Sequence, residues 1–422
     1  MIRSAAKYNW ERFMGDCAGG VIAALIALPY GLSMAALMGL PPILGVMTSI
    51  MTAPITAILG RNPVLIGGTA SVTVPFIAAA VQAQGIGGAA KVTIVASVLM
   101  MVFCVLRLGR FAAMVPPTVV AGFSAGIGGI MFISQTNSLF GVRAVPAPDG
   151  NYLLQLAGVV GEIGSSRWPP MLLSGIVILA AALIMRRWPK LPAPLIGVIF
   201  ATIAAGLIGS HEPEVGSLHL TLPDFAGFSW NARDVHEVLP QGLMLAFVSA
   251  ANLLLTSRAV EHFRGRHKHL KRSDADAEMG AYGIANLAVG IFGAPMSIGI
   301  PARSVAAVRC GATTRFSNIM HGVFLFLLVS MGSGALAHIP MAALAGVTAW
   351  MGLSLLDVST WRRLPKMRFV DAGAFLVTAV GVLVVNAVAA VLAGCSLYAI
   401  RYAYQKSLKT PGPIAGVPGV AR

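Results

Sequence analysis

The chain has 422 residues, of which 57% are hydrophobic and only 11% are charged, whereas ordinary soluble domains have about 25% charged residues. The mean hydropathy is +0.80, and long uncharged stretches recur between Asp16 and Tyr402. This composition excludes a soluble globular domain, because helices that are apolar all round need protein or lipid around them. We therefore predict an all-α polytopic membrane protein.

The formal net charge of +15 does not indicate a nucleic-acid-binding protein, because the basic residues form short clusters between apolar spans. Most clusters fall in every second loop, which is the positive-inside pattern. The loop at 211–237, on the opposite side, has five acidic residues and only one arginine, Arg233. We predict a protein of a bacterial-type inner membrane, with both termini in the cytoplasm and no cleaved signal peptide. The expected partners include the lipid bilayer but no nucleic acid.

Hydropathy and the positions of proline and glycine predict about fourteen membrane spans in two sets of seven. The first set begins near Asp16, Ile43, Thr69, Lys91, Pro117, Pro170 and Pro194. The second set begins near Leu239, Asp274, Pro301, Arg315, Pro340, Asp371 and Asn386. Because seven is odd, the second set enters the membrane in the opposite orientation, so residues 16–209 and 239–402 are predicted to form an inverted repeat. Residues 1–15 are predicted to be a cytoplasmic segment, and residues 403–422 a short disordered tail.

The third span is predicted to begin with a break in the helix. Val64–Ile66 is a short apolar run, Gly67 and Gly68 allow a sharp turn, and Thr69 is suited to cap the following helix. Irregular backbone at membrane depth is tolerated only where it lines a cavity or is covered by protein. The alternative is that these glycines serve only a close helix contact.

The tenth span repeats this pattern and adds a charge. Ser297–Ile300 is followed by Pro301, which suits the first turn of a helix, and Arg303 and Ser304 lie in that turn. Two helix N-termini that face one site favour an anion there. An arginine inside the bilayer is costly, and no acidic residue in the middle of a span is available to pair with it. We expect an anion to neutralise Arg303, and the alternative is that its side chain reaches the cytoplasmic surface.

Several segments resemble, in the right order, motifs of the SulP anion transporters, a family of bacterial sulfate, bicarbonate and dicarboxylate permeases and animal anion exchangers. They are Asp16–Gly20, Leu28–Leu32 and Gly39–Gly45 in the opening, Gly67–Thr69 at the third span, Asn252–Glu261 at the eighth and Ile300–Gly311 at the tenth. The resemblance covers nearly the whole chain, which makes it more specific than any one of these motifs.

The resemblance implies a 7+7 inverted-repeat fold in which a core (helices 1–4 and 8–11) slides against a gate (helices 5–7 and 12–14), which gives alternating access. The anion then lies between the N-termini of the broken half-helices 3 and 10. Carried over to this chain, the substrate-binding residues are Thr69, Ala70, Ala302, Arg303, Ser304, Tyr30 and Met34. The expected function is secondary active or facilitative transport of a small anion of the sulfate, bicarbonate, chloride or dicarboxylate class.

Three departures from the family pattern bear on the mechanism. Asn252, with Thr256 nearby, occupies the coupling-site position, where many bacterial members carry a carboxylate. An amide does not exchange protons near neutral pH, so exchange or facilitated movement is favoured over cation coupling at this position. The family's C-terminal STAS domain is not expected in this chain. Gly68 replaces the usual proline, which predicts a more flexible first break.

Other functions stay open at the level of the sequence. A nucleobase permease of the same fold usually has a carboxylate where Asn252 or Arg303 stands. A membrane-embedded enzyme needs a nucleophile–base pair or a metal cluster inside the spans, and none is visible, so we expect no enzyme. A non-transporting membrane protein is a further alternative, and a homodimer is compatible with the resemblance.

The histidines and cysteines give weaker signals. His321, in the eleventh span, is either a proton relay or, as we expect, a packed histidine with a backbone partner. A metal site at His262, His267 and His269 is less favoured than a solvated basic loop at the lipid headgroups. No cofactor, zinc site or disulfide framework is indicated by the four separated cysteines, Cys17, Cys104, Cys310 and Cys395.

Overall fold

The computed structural model describes residues 9–108, 116–142, 151–188, 191–216, 218, 229–263, 274–356, 358–385 and 387–409. Within these ranges the chain is mostly helical and contains a two-stranded sheet. Eight helical stretches are long and apolar enough to cross a membrane. The protein is therefore a polytopic helical membrane protein, as its composition predicts.

The secondary structure follows the predicted spans. The first half contains α1 (Trp10–Leu37), α2 (Pro42–Leu59), β1 (Gly67–Thr69), α3 (Val74–Val105), α4 (Pro117–Phe140), α5 (Tyr152–Gly161), α6 (Trp168–Arg187) and α7 (Ala193–Leu207). The second half contains α8 (Ala232–Phe263), α9 (Ala275–Gly290), β2 (Ser297–Gly299), α10 (Pro301–Arg309), α11 (Phe316–Ala337), α12 (Met341–Leu355), α13 (Val358–Arg363), α14 (Phe369–Val384) and α15 (Ala387–Lys409). Short 3₁₀ turns lie at Ser71–Thr73, Ile163–Ser165 and Leu364–Lys366.

The predicted third and fourth spans are the two halves of α3. Gln84 and Gly85 interrupt this helix with non-helical backbone angles, and Gly85 has a φ of 64°. Glycine adopts this left-handed conformation without the steric cost that a Cβ brings. The fourth span therefore begins several residues before Lys91, where the sequence predicts its start.

Two predicted boundaries are wrong. Helix α1 begins at Trp10 instead of near Asp16, because the side chain of Asn9 caps it by accepting a hydrogen bond from Arg12 N at 3.0 Å. Helix α15 continues to Lys409, into the tail predicted as disordered, since no glycine or proline interrupts residues 403–409. Residues 1–8 and 410–422 lie outside the described ranges. The short helices α5 and α13 are not predicted, because 10 and 6 residues are too few for a span.

The two strands bring the starts of α3 and α10 together. Strand β1 pairs antiparallel with β2, with Gly67 opposite Gly299 and Thr69 opposite Ser297. One further bond extends this ladder, from Ile300 N to Ile66 O at 2.9 Å. All residues of both strands are buried. Because each strand leads directly into its half-helix, the pairing fixes the relative position of the two helix N-termini.

The helices divide into two groups by their packing partners. In the first group, α3 packs against α8 and α9, and α1 packs against α2, α10 and α11; in the second, α4 packs against α12, α14 and α15. Helices α6 and α7 join the second group through α12. The groups meet where α1 packs against α7 and α12, and there Ser33 Oγ lies 3.2 Å from Leu344 O. The movement of a core against a gate stays a prediction.

Candidate functional site

Arg303 lies in the first turn of α10 and is fully buried, with 0% of its surface exposed. Its Nη1 donates to Ser49 Oγ at 3.0 Å and to Gly67 O at 3.2 Å. Its Cζ lies 5.4 Å from the centre of the Tyr30 ring, which is a cation–π distance. The side chain does not reach the surface, so the alternative of an arginine extended to the cytoplasm does not apply to this structure.

The opposite edge of the Arg303 guanidinium makes no hydrogen bond to the described residues. Its Nε and Nη2 are buried and have no hydrogen-bond partner among the described residues. Arg303 takes part in none of the salt bridges of the described ranges, which involve Lys91, Arg167 and His338. In the planar guanidinium the Nε–H and Nη2–H groups lie on one edge and fit two oxygens of an oxyanion. Because unmade hydrogen bonds of a buried charge are costly, this edge is a candidate binding site.

Gly68 makes room for this arrangement. A Cβ at position 68 would lie 2.0 Å from Arg303 Nη1 and 2.5 Å from Ser49 Oγ. Glycine is the residue that lets backbone approach another group this closely. The glycine at the first break is therefore explained by its contact with the arginine of the second break.

Both half-helices start beside Arg303. Ala70 comes before the 3₁₀ turn that leads into α3, and Ala302 and Arg303 lie in the first turn of α10. The first intrahelical bond of α10 is made by Ser304 N to Ile300 O at 3.2 Å. The first N–H groups of a helix have no intrahelical partner and carry the positive end of the helix dipole. Two such ends and one guanidinium thus create a positive region inside the protein.

Two of the predicted site residues use their hydroxyl groups to hold the backbone. Thr69 is fully buried and its Oγ1 donates to Gly45 O at 2.9 Å. Ser304 Oγ accepts from Ile66 N and donates to Ile300 O, both at 2.9 Å. These bonds fix β1 to α2 and to α10, so the two residues support the site, and their hydroxyl groups are already engaged.

The remaining predicted residues differ in their exposure. Ala70 is buried, whereas Ala302 is exposed. Met34, one turn beyond Tyr30 on α1, is fully buried and opens onto no accessible surface in this structure. The structure brings Tyr30 into direct contact with Arg303, and the contribution of the other residues to binding stays a prediction.

The predicted coupling position lies at the boundary between the two helix groups. Thr256 Oγ1 donates to Asn252 Oδ1 at 3.4 Å. Asn252 is the polar residue in the lining of a mostly apolar cleft of about 350 Å³ between α4, α8 and α15. The residues that line this cleft are Val119, Val120, Phe123, Phe247, Val248, Ala251, Asn252 and Val391.

Sequence reasoning missed the contribution of α2. Ser49, which holds Arg303, belongs to a polar stripe with Thr52 and Thr56. Their spacing of three and four residues places them on one helix face, and such a stripe on an apolar span is a signal that the sequence does contain. Thr52 Oγ1 lies 3.1 Å from Ser297 Oγ of β2, and a Cβ at Gly68 would lie 2.5 Å from Ser49 Oγ, so the stripe contacts both broken segments.

The expected backbone partner of His321 is not found, because both of its ring nitrogens are buried without a hydrogen-bond partner among the described residues. The local sequence does not reveal this, since His321 faces groups that come from distant helices. His267 and His269 lie outside the described residues, and the side chain of His262 is not described.

Solved structures of membrane transporters share this fold. The solved transmembrane domain of a cyanobacterial bicarbonate transporter, BicA, matches with a TM-score of 0.80 at 22% identity, covering 92% of this chain and 99% of that one. The inward-facing structure of the murine anion transporter Slc26a9 matches with a TM-score of 0.83 at 17% identity, covering 94% and 70%. At these identities the likeness shows the fold, a 7+7 inverted repeat with two broken helices.

The chain belongs to the sulfate permease family, whose model matches residues 13–378. This confirms the resemblance in the sequence motifs. Among its relatives, the probable sulfate transporter Rv1739c of Mycobacterium tuberculosis is 28% identical over 428 residues, which are 98% of this chain and 74% of that protein. The putative sulfate transporter YvdB of Bacillus subtilis is 25% identical, covering 88% and 71%. The bicarbonate transporter BicA of Picosynechococcus sp. is 27% identical, covering 88% and 68%. The protein is thus an integral membrane protein of an anion-transporter family.

Proposed function

We propose that this protein is a secondary transporter that carries a small oxyanion by alternating access and binds it on the open edge of Arg303. The observation that carries the proposal is a fully buried guanidinium with unpartnered Nε and Nη2 groups between the starts of two half-helices. The relatives named as sulfate and bicarbonate transporters support an oxyanion.

The chemistry of the open edge ranks the candidate substrates. Sulfate, bicarbonate and carboxylates offer two oxygens that match the two parallel N–H donors, whereas chloride offers a single centre. A nucleobase needs acceptors for its ring N–H groups, but the unpartnered groups of Arg303 are donors. We therefore place oxyanions first, chloride second and nucleobases last.

The packing of the helices supports this movement. The anion site belongs entirely to the group that contains α1, α2, α3 and α10, and the other group lies across the cleft beside Asn252. Sliding of the first group against the second, with the site carried along, would expose the anion alternately to each side. The termini are placed in the cytoplasm, in a bacterial-type inner membrane, on the basis of the charge distribution. A homodimer stays a prediction.

The test is the uptake of labelled sulfate into proteoliposomes, together with sulfate binding to purified protein. Arg303→Ala removes the donors, so we expect uptake and affinity to fall by more than about tenfold, since truncating a buried charged partner costs about 2–5 kcal/mol. Arg303→Lys keeps the charge but loses the two-donor edge, and we expect a loss close to that of alanine.

Arg309→Ala is the matched control, because Arg309 lies on the same helix in an exposed position. Sulfate uptake by the Arg309→Ala variant should equal that of the wild type. A monodisperse Arg303→Ala protein that binds and transports sulfate normally would refute the proposal.

A further inference from the structure

Two neighbouring residues of α11 have buried polar atoms without hydrogen-bond partners. His321 is 0% exposed and Asn318, one turn earlier, is 2% exposed. Both ring nitrogens of His321 and Oδ1 of Asn318 have no hydrogen-bond partner among the described residues, whereas Asn318 Nδ2 donates to Thr56 Oγ1 at 3.0 Å. Buried polar atoms are nearly always hydrogen-bonded in proteins, so these exceptions point to a group that binds there at some stage.

The packing of α11 on α2 brings His321 to the level of the anion site. Asn318 contacts Thr56, and a Cβ at Gly322 would lie 3.1 Å from the side chain of Ala53. The two helices therefore run antiparallel, and the next residues of α2 in this direction lead to Ser49, which holds Arg303. The same Cβ at Gly322, the residue after His321, would lie 3.4 Å from the carbonyl oxygen of Ile50, which is next to Ser49.

A polar route connects this region with the end of α2. Thr52 and Thr56 continue the face of Ser49 towards Leu59, where α2 ends. At that end, Arg315 Nη1 donates to the exposed carbonyl of Ile58 at 3.1 Å. Hydroxyl and amide groups thus lie on the packed faces of α2 and α11 from the end of α2 to Asn318, one turn before His321.

Few titratable groups lie on the helices that pack against α11. Helix α2 has no titratable side chain. Asp16 of α1 accepts hydrogen bonds from the backbone N–H groups of Thr313 and Thr314, and therefore serves the start of α11. The other titratable groups of the elements packed against α11 are Glu11, Arg12, Cys17 and Tyr30 of α1, with Arg303 of α10 beyond Tyr30.

A bound anion changes the electrostatic environment of His321. With the site empty, a protonated His321 would face the positive Arg303 across a medium of low dielectric, which is unfavourable. A divalent oxyanion neutralises Arg303 and leaves one negative charge, which a protonated imidazole balances. A monovalent anion leaves no charge to balance. Anion binding and proton binding therefore strengthen one another by the same factor in each direction, and more for a divalent anion than for a monovalent one, which only removes the repulsion by Arg303.

We propose that His321 is a proton-binding residue of the transport cycle, which takes up one proton when a divalent oxyanion occupies the open edge of Arg303. The proton adds to a ring nitrogen to give the imidazolium, and no other bond forms or breaks. When the anion leaves, the proton leaves with it, so the two cross the membrane together. This inference rests on the proposed function, and it assigns coupling to α11 instead of to the position of Asn252 on α8.

The test counts protons during sulfate binding. Titration calorimetry of the purified protein in two buffers of different ionisation enthalpy gives the number of protons taken up per sulfate. We expect about one for the wild type. For His321→Gln, and for His321→Asn as a second variant, we expect sulfate to bind with almost no proton uptake. In proteoliposomes, a sulfate gradient should acidify the lumen with the wild type but not with these variants.

His338→Gln is the matched control, because His338 is an exposed histidine paired with Glu214 at 3.0 Å, and it should keep the proton count of the wild type. Sulfate binding to the wild type without proton uptake would overturn this inference even if neither His321 variant folds, and would leave the proposed function intact. An unchanged count in His321→Gln would overturn it as well. A wild type that does not bind sulfate would contradict the proposed function and this inference together.

Discussion

Arg303 illustrates how the neighbours of one side chain decide its chemistry. Ser49 and Gly67 occupy Nη1, and the Tyr30 ring lies against the guanidinium, so its orientation is set before any anion binds. Preorganised donors of this kind avoid the entropy cost of ordering a long side chain on binding. The contacts of Nη1 therefore lower the entropy cost of binding an anion at the open edge.

Gly68→Ala is the sharpest test of this preorganisation. The new methyl group would lie 2.0 Å from Arg303 Nη1, so the guanidinium must leave Ser49 and Gly67. We expect sulfate affinity to fall by about tenfold, which is 1.4 kcal/mol, with a smaller effect on thermal stability. Titration calorimetry measures the affinity.

Gly175→Ala on α6 is the control for Gly68→Ala, since a Cβ there meets nothing within 4 Å. If Gly68→Ala binds sulfate like the wild type, the guanidinium does not need its present position.

At the scale of the elements, the break in α3 is stabilised by a buried ionic cluster. Lys91 Nζ donates to both carboxylate oxygens of Asp234 at 3.0 Å and to Gln84 Oε1 at 3.1 Å. Asp234 also accepts from Asn231 N at 2.7 Å. The cluster joins both halves of α3 to the start of α8. The hydrogen bonds from Asn231 and Lys91 lower the pKa of Asp234.

Asp234→Asn should be strongly destabilising, because it leaves Lys91 buried without a counter-charge. We expect a clear loss of thermal stability. The double variant Lys91→Met with Asp234→Asn removes both charges and should regain much of this loss. Thermal unfolding in detergent measures both, and a double variant that is less stable than Asp234→Asn would contradict the interpretation.

The stabilisation by the Asp234–Lys91 pair should decrease at acidic pH. Because the pKa of Asp234 is lowered in the folded state, its stabilisation is fully present above the ordinary aspartate pKa of about 3.9. It is lost as the pH falls through the lower native value. The difference in melting temperature between the wild type and Asp234→Asn should therefore shrink in that acidic range, and a constant difference would argue against the assignment.

Local rules explain which elements could be predicted from the sequence. Pro117, Pro301 and Pro340 mark helix starts correctly, because the fixed φ of proline acts within one turn. The start of the fourth span is placed too late, because hydropathy treats Lys91 as a loop residue. Its partner Asp234 is 143 residues away in the chain, and no local pattern reveals that the charge is satisfied.

The candidate site, too, could be predicted only where local sequence patterns are sufficient. The two breaks and Arg303 follow from backbone chemistry and from the cost of a charge in the bilayer, so the sequence predicts them. The roles of Ser49 and His321 depend on which faces of α2 and α11 meet, and this is a property of the packing. Thr69 and Ser304 are predicted to contact the anion, which stays a prediction, and the structure adds that their hydroxyl groups hold backbone groups.

At the scale of the whole molecule, the cleft beside Asn252 separates the two helix groups. Val120 of α4 and Ala251 of α8 line it from opposite sides. If transport requires one group to slide past the other, a covalent link across this cleft should stop it. Sulfate binding should be affected less, because the site lies within one group.

The test uses Val120→Cys and Ala251→Cys together, in a background in which the four native cysteines are replaced by serine. We expect a short bifunctional maleimide to abolish sulfate uptake by the double variant. Each single variant treated with the same reagent is the control and should retain uptake. Undiminished uptake by the fully cross-linked protein would show that these two groups do not move past each other.

The pairing of β1 with β2 has a consequence for selectivity. The strands hold both half-helix starts in one fixed register, with Gly67 opposite Gly299. Neither half is able to shift alone without breaking the ladder between them. If transport proceeds as proposed, the space between the two half-helix starts keeps the same dimensions towards both compartments, so import and export would be subject to the same size limit.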